Sequence, residues 1–193
     1  MNKIVIRPSV ELVQKYISRF DNDQELTAVE DVMSELFGKY PSNQKLRDIL
    51  IKATALNSLY NTNIYATVKL AKHILNKNID AKLRDGSPEL VDEIAHVEIN
   101  GKLRNNYSFA SKYCHWHRPE MYPIYDNYVD NLLWRYQKQD KFSVFKQTEL
   151  RQYKRYKQIL EDFKSHYGLS KFRSKDLDKF LWGYGKDFVE DKR

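Results

Sequence analysis

Apolar side chains recur along this chain at three- and four-residue intervals and almost nowhere alternate, the pattern of helices that each bury one face. Val10, Val13, Ile17 and Phe20 fall on one stripe, and Leu26, Val29, Met33 and Leu36 on the next. Pro8 suits a first helical turn, Gly38 suits a helical end, and Pro41 prevents continuation. Ser42 is placed to cap a third helix carrying Leu46, Ile49, Leu50 and Ala53, and a fourth carries Ile64, Val68, Ala71 and Leu75. These two read as the buried centre. Asn76 to Gly86 reads as polar loop, Ser87-Pro88-Glu89 as the start of a short helix from Leu90 to about His96, and Ser108 to His117 as another, bounded by Pro119 and Pro123. Asp126 is placed to cap a helix through Val129, Leu132, Leu133 and Tyr136. Thr148 to Tyr167 and Ser174 to Trp182 complete the set, ended by Gly168 and Gly183. Val5-Ile6 and Val97-Glu98-Ile99 are the only strand-like segments, too short to found a sheet. The expectation is an all-α single domain over 1–193, with 185–193 a frayed charged tail.

With 193 residues, 6 Gly and 5 Pro, the chain can bury a core, and low-complexity disorder is excluded. Its one cysteine, Cys114, excludes an internal disulfide and a cysteine-rich metal or cluster site. No apolar run reaches the roughly 20 residues of a membrane span, and the start is too short for a signal peptide. A soluble, cytoplasmic protein without a membrane partner, metal or cofactor is expected. Residues 1–101 hold 13 basic and 14 acidic groups, against 20 and 12 in residues 102–193. The whole net charge of +7 therefore resides in the second half, which suits a polyanion such as DNA or a merely solvated basic face.

The densest run of chemistry-bearing residues lies between Ser108 and Val129. Lys112 stands among aromatic and small residues, where desolvation favours the neutral, nucleophilic amine. Asp126 follows fourteen residues later across a proline-bounded loop, which can return the cap of the next helix toward the lysine. An amine and a carboxylate in one cleft divide the labour of nucleophile and charge stabiliser; an ordinary ion pair with a capping aspartate is the bland reading. His115 and His117, two apart on a helix, point about 200° away from each other and cannot share one metal ion.

Ser111-Lys112, Pro119, and then Pro123-Ile124-Tyr125-Asp126 with Val129 resemble the lysine and aspartate segment of the helix-hairpin-helix DNA glycosylases, closest to the 8-oxoguanine glycosylase-like branch. Asn61-Thr62-Asn63-Ile64 resembles the asparagine turn by which those enzymes enter the duplex. The resemblance implies that superfamily's helical fold, a DNA substrate and no cofactor. Lys112 would attack the sugar carbon of a flipped-out nucleotide while Asp126 steadies developing charge, and a Schiff base would then permit strand cleavage. Tyr113, Trp116, Tyr122 and Tyr125 are candidates for the base pocket. In place of the family's glycine-rich hairpin the chain has Asn100-Gly101-Lys102-Leu103-Arg104-Asn105-Asn106, where Lys102 and Arg104 can meet phosphate by charge.

Further basic residues interleave with aromatics between Trp134 and Lys175. On one continuous helix, Arg151, Lys154 and Arg155 share a face and form a strip suited to a phosphate backbone. With Asn61, Asn63, Lys102 and Arg104 they make up the expected nucleic-acid contacts. The alternative reading is a non-catalytic nucleic-acid-binding or protein-interaction module on the same helical scaffold.

Overall fold

The computed structural model describes residues 4–190. It is mostly helical, with 68% helix, and the all-α expectation holds. The helices are α1 (Val10–Asp21), α2 (Gln24–Lys39), α3 (Leu46–Leu59), α4 (Thr67–Lys77), α5 (Asp80–Asp85), α6 (Glu89–Ala95), α7 (Tyr107–His117), α8 (Asn127–Asp140), α9 (Tyr153–His166) and α10 (Ser174–Glu190). Between α6 and α7 run strands β1 (His96–Ile99) and β2 (Lys102–Asn105), and a short 3-10 turn spans Gln147–Arg151. Among the described residues no helix is long and apolar enough to cross a membrane.

The chain divides into two compact units, one made of the chain up to Gln24 and from Tyr125 onward, the other of Glu25–Ile124. In the first unit α10 packs against α1 and α8. Ser9 caps α1, its hydroxyl accepting from Leu12 N–H at 3.2 Å. Asp126 caps α8 as its spacing predicts, with Oδ1 accepting from Val129 N–H at 2.9 Å. The segment at Val5-Ile6 is fixed by side chains. Gln139 exchanges two 3.0 Å hydrogen bonds with the Val5 backbone, while Ile6 N–H donates to the Tyr184 hydroxyl at 2.7 Å and Ile6 C=O accepts from Tyr136 at 2.8 Å.

In the second unit α3 packs against α4 and α7, and α6 against α7. The core comprises Ile49, Ala53 and Leu56 of α3, Leu70, Ala71 and Ile74 of α4, and nearly all of α7. Val68, expected on the buried stripe, is exposed, because the inward face of α4 follows Leu70, Ala71 and Ile74.

Five local expectations are corrected. First, β1 and β2 form an antiparallel hairpin with Ile99 opposite Lys102. Asn100 and Gly101, at φ 53° and 71°, supply the two left-handed residues of a two-residue turn, so the Asn-Gly pair is a hairpin signal and not mere connection. Second, the supposed loop 76–86 contains α5, held by buried Ile79 and Leu83 one turn apart and closed by left-handed Gly86. Third, Ser42 does not cap α3, which begins after Lys45; its hydroxyl lies 3.3 Å from Asp80 Oδ2. Fourth, the helix expected over 148–167 is broken at Gln152, whose extended backbone separates the 3-10 turn from α9.

The fifth correction concerns the glycines of α10. The helix continues through Gly183 and Gly185 to Glu190, where a stop and a frayed tail were expected; residues 191–193 lie outside the described residues. A Cβ on Gly185 would lie 2.9 Å from Tyr128 C=O, and one on Gly183 would lie 3.0 Å from the Tyr16 ring. These glycines admit neighbours at close range and terminate nothing.

Gly185→Ala is therefore expected to destabilise the protein by about 1–3 kcal/mol through a backbone clash. Gly38→Ala, in α2 with nothing within 4 Å of the added methyl, is expected to stabilise it by about 0.5–1 kcal/mol. Urea unfolding midpoints at constant slope measure both.

Candidate active site

Helix α7 organises the second unit. It has no glycine or proline, and the chain leaves the helix at Arg118-Pro119. Burial on all sides makes each polar group along it an accounting question. Ser108, Lys112 and Trp116 recur at i, i+4 and i+8 and so share one face. Lys112 is 4% exposed; its amine donates to Ser108 Oγ at 2.7 Å and lies 5.8 Å from the centre of the Tyr60 ring. That ring is in turn 6.4 Å from the ring of Trp116.

Tyr60 follows α3 and opens the asparagine turn. Asn61 and Asn63 adopt left-handed backbone, at φ 49° and 57°, which asparagine tolerates. Asn57 fixes the turn. Its Oδ1 accepts from Thr62 Oγ1 at 2.8 Å and Ile64 N–H at 2.9 Å, and its Nδ2 donates to Ile64 C=O at 3.0 Å. Both left-handed asparagines are exposed, and Tyr65 beyond them is 97% exposed. The lysine and the asparagine turn are thus joined through Tyr60 within one unit.

A polar centre that no sequence motif announced lies on the neighbouring stretch of α7. Lys52, buried on α3, directs its ammonium at Tyr40 C=O (2.8 Å), Asn43 Oδ1 (2.9 Å), Ser42 C=O (3.2 Å) and His117 Nε2 (3.2 Å). Its charge also sits 5.4 Å from the Phe37 ring and 5.6 Å from the Tyr113 ring. Asn43 Nδ2 donates to Asp80 Oδ1 at 2.8 Å and approaches His117 Nε2 at 3.3 Å. Both neighbours of His117 Nε2 are donors, so this nitrogen accepts and the imidazole is neutral, with its proton on Nδ1. Burial, reinforced by the Lys52 charge, lowers the His117 pKa to about 3, and burial lowers that of Lys52 to about 8. The signal available in the sequence was positional: Lys52 takes an apolar place in the series Ile49, Lys52, Ala53, Leu56.

Of the base-pocket candidates, three occupy satisfied core positions. Tyr113 donates to Asn43 Oδ1 at 2.6 Å, Tyr122 reaches Lys82 C=O and Ser87 C=O at 3.1 Å, and Tyr125 donates to Asp130 Oδ2 at 2.6 Å. Burial raises the pKa of all three hydroxyls. Trp116 differs: it is 8% exposed, and its Nε1–H has no acceptor among the described residues. Lys112, Tyr113, Trp116 and Tyr122 belong to the second unit; Tyr125 and Asp126 belong to the first, where the Asp126 carboxylate serves as the α8 cap.

The cationic candidates divide as well. Lys102 and Arg104 project from β2, which is exposed along its whole length. The expected strip on α9 is broken, because Arg151 belongs to the 3-10 turn and interacts with Tyr125 beside Asp130. Arg155 donates to Val144 C=O at 2.6 Å and to Glu149 at 3.3 Å, and Lys154 is exposed on α9. No group of three or more His, Cys, Asp or Glu suited to a metal ion occurs among the described residues.

Residues 12–121 match the model of the HI_0787_N family, an N-terminal domain. The matched span contains Lys52, Tyr60, Lys112 and Trp116 and ends before Asp126. A Haemophilus influenzae protein named only "Uncharacterized protein" is 38% identical over 183 residues, covering 89% of this chain and 88% of the relative. No solved structure matches.

The neutral His117 has a measurable consequence. Its folded-state pKa of about 3 lies below the usual 6.5, so its stabilising contribution is complete above pH 6.5 and is lost as pH falls toward 3. Unfolding free energy is expected to drop by about 2 kcal/mol between pH 7 and pH 5 on this account, and His117→Gln is expected to flatten that slope. Urea titrations at the two pH values measure it.

Proposed function

The chain belongs to the HI_0787_N family; from the surroundings of Lys112 we propose that it is a DNA base-excision protein of the glycosylase/lyase type with Lys112 as its nucleophile. One observation carries the reading: the Lys112 amine, desolvated and held by Ser108, lies against Tyr60, the residue that opens the exposed asparagine turn. A reactive amine and a duplex-probing loop on one small unit are what the excision of a flipped nucleotide requires.

The chemistry balances without a cofactor. The neutral amine forms a bond to the sugar C1′ while the bond from C1′ to the base nitrogen breaks, and the base departs with that electron pair and takes up a proton. Loss of the ammonium proton and opening of the sugar ring leave an iminium on Lys112. This either hydrolyses or drives elimination of the 3′ phosphate. Exposed Lys102 and Arg104 on β2 supply charge for the DNA backbone.

The same exposed cations favour a second reading, a nucleic-acid-binding module without catalysis. It requires salt-sensitive DNA binding that Lys112→Gln leaves intact and Lys102→Glu with Arg104→Glu abolishes.

Borohydride trapping on duplexes with an abasic site or 8-oxoguanine separates the two. The wild type is expected to form a covalent adduct by hydride reduction of the iminium, and Lys112→Gln is expected to form none. Absence of a wild-type adduct, or an adduct that survives Lys112→Gln, overturns the catalytic reading. Asp126→Asn keeps a capping oxygen for Val129 N–H and removes only the charge, so it is expected to retain stability, measured by its urea unfolding midpoint.

A further inference from the structure

We infer that the outer edge of β2 is a docking site for an extended acidic segment of a partner protein, which adds to the hairpin as a third, antiparallel strand. The site stands apart from the chemistry at Lys112. Register decides which backbone groups are free for it. In a two-residue hairpin the residues flanking the turn, here Ile99 and Lys102, exchange both ladder hydrogen bonds, and every second pair repeats the exchange. Val97 with Arg104 is the next such pair, and Asn106 N–H donating to Ala95 C=O at 2.9 Å continues the series. The N–H and C=O groups of Leu103 and Asn105 therefore point away from β1, and no hydrogen bond among the described residues takes them up. The other edge is not open in this way: β1 packs against α4 and α6, and His96 N–H donates to Asp92 C=O.

The edge is held ready for a partner. Val97 is buried, and the Lys69 amine donates to Asn100 Oδ1, tying the turn to α4. All four residues of β2 are exposed, Leu103 to 71%. A fixed, open edge offers main-chain hydrogen bonds to any extended chain, so the side chains must choose among partners. Lys102 and Arg104 lie on one face of the strand, and Leu103 between them lies on the other. A second copy of β2 is disfavoured by charge. Whether Leu103 meets Leu103 or Asn105 of the other copy, a cation falls opposite a cation. A phosphate backbone suits the cations but offers only acceptors, leaving the outward carbonyls of Leu103 and Asn105 unmet. A strand with carboxylates opposite Lys102 and Arg104 and an apolar residue opposite Leu103 satisfies charge, ladder and apolar contact together.

The probe is the blocked peptide acetyl-Thr-Glu-Val-Glu-Thr-amide, titrated at low salt into the nitrogen-15-labelled full chain. The Leu103 and Asn105 amide protons are expected to move downfield and to exchange more slowly on saturation. N-methylation of the peptide's valine keeps both charges and removes the N–H that Leu103 C=O would accept, so it is expected to weaken binding by about 10-fold or more. Leu103→Pro removes the outward N–H and touches no hydrogen bond to β1, and is expected to weaken binding of the parent peptide by a similar factor. Lys102→Glu with Arg104→Glu is expected to abolish binding of the acidic peptide and to create binding of its counterpart with lysines in place of the glutamates. Leu103 and Asn105 amides unmoved by the parent peptide overturn the inference, as do amides that respond to duplex DNA and not to the peptide, which assigns the edge to nucleic acid. Equal affinity of the parent and N-methylated peptides also overturns it, reducing the site to a charged patch. That last comparison uses only the wild-type chain and stands even if a variant fails to fold.

Discussion

One buried ammonium sets where α7 lies in its unit. The amine of Lys52 draws together the chain leaving α2, the approach to α3 and the last turn of α7, because each contributes an acceptor to it. Asn43 extends the reach to Asp80 at the start of α5 and to the Tyr113 hydroxyl. Removing a buried charge's partners is costly, since an uncompensated ion in a low-dielectric interior has nowhere to turn. Each acceptor is therefore held in place by the need of the others, and the helix that bears Lys112 and Trp116 inherits that rigidity.

Two lysines in one small unit thus meet opposite surroundings. Lys52 is enclosed by backbone and amide oxygens, a neutral imidazole nitrogen and two aromatic faces, an arrangement that leaves the ammonium no errand beyond cohesion. Lys112 donates to a serine hydroxyl and lies against the face of Tyr60.

Periodic stripes made most helices readable in advance, because each helix buries one face and the 3.6-residue repeat is written directly in residue order. Asp126 was readable for the same reason, a cap being a contact between residues three apart. What escaped reading depended on distant partners. Gly183 and Gly185 look like helix ends until Tyr16 and Tyr128 are seen against them. Arg151 joins an apparent helical face until the extended backbone at Gln152 interrupts it. Lys52 looks like one solvated lysine among many, although its apolar register gave the clue, and the orphaned Trp116 N–H has no sequence signature because it is defined by what fails to surround it. The Asn100-Gly101 pair is a legible turn signal, but the strands it joins are only four residues long, too short for their own pattern to announce a hairpin.

The first unit is assembled from two stretches of chain separated by about a hundred residues that form the second. Helix α1 waits for α10, and Val5 and Ile6 wait for Gln139, Tyr136 and Tyr184. During vectorial synthesis the inserted unit has every segment it needs soon after Ile124 leaves the ribosome, whereas α1 emerges before that unit and its apolar side is unmatched until α10 follows. Docking α10 on α1 therefore closes a loop that contains the whole inserted unit, at an entropic cost that grows only slowly with its length.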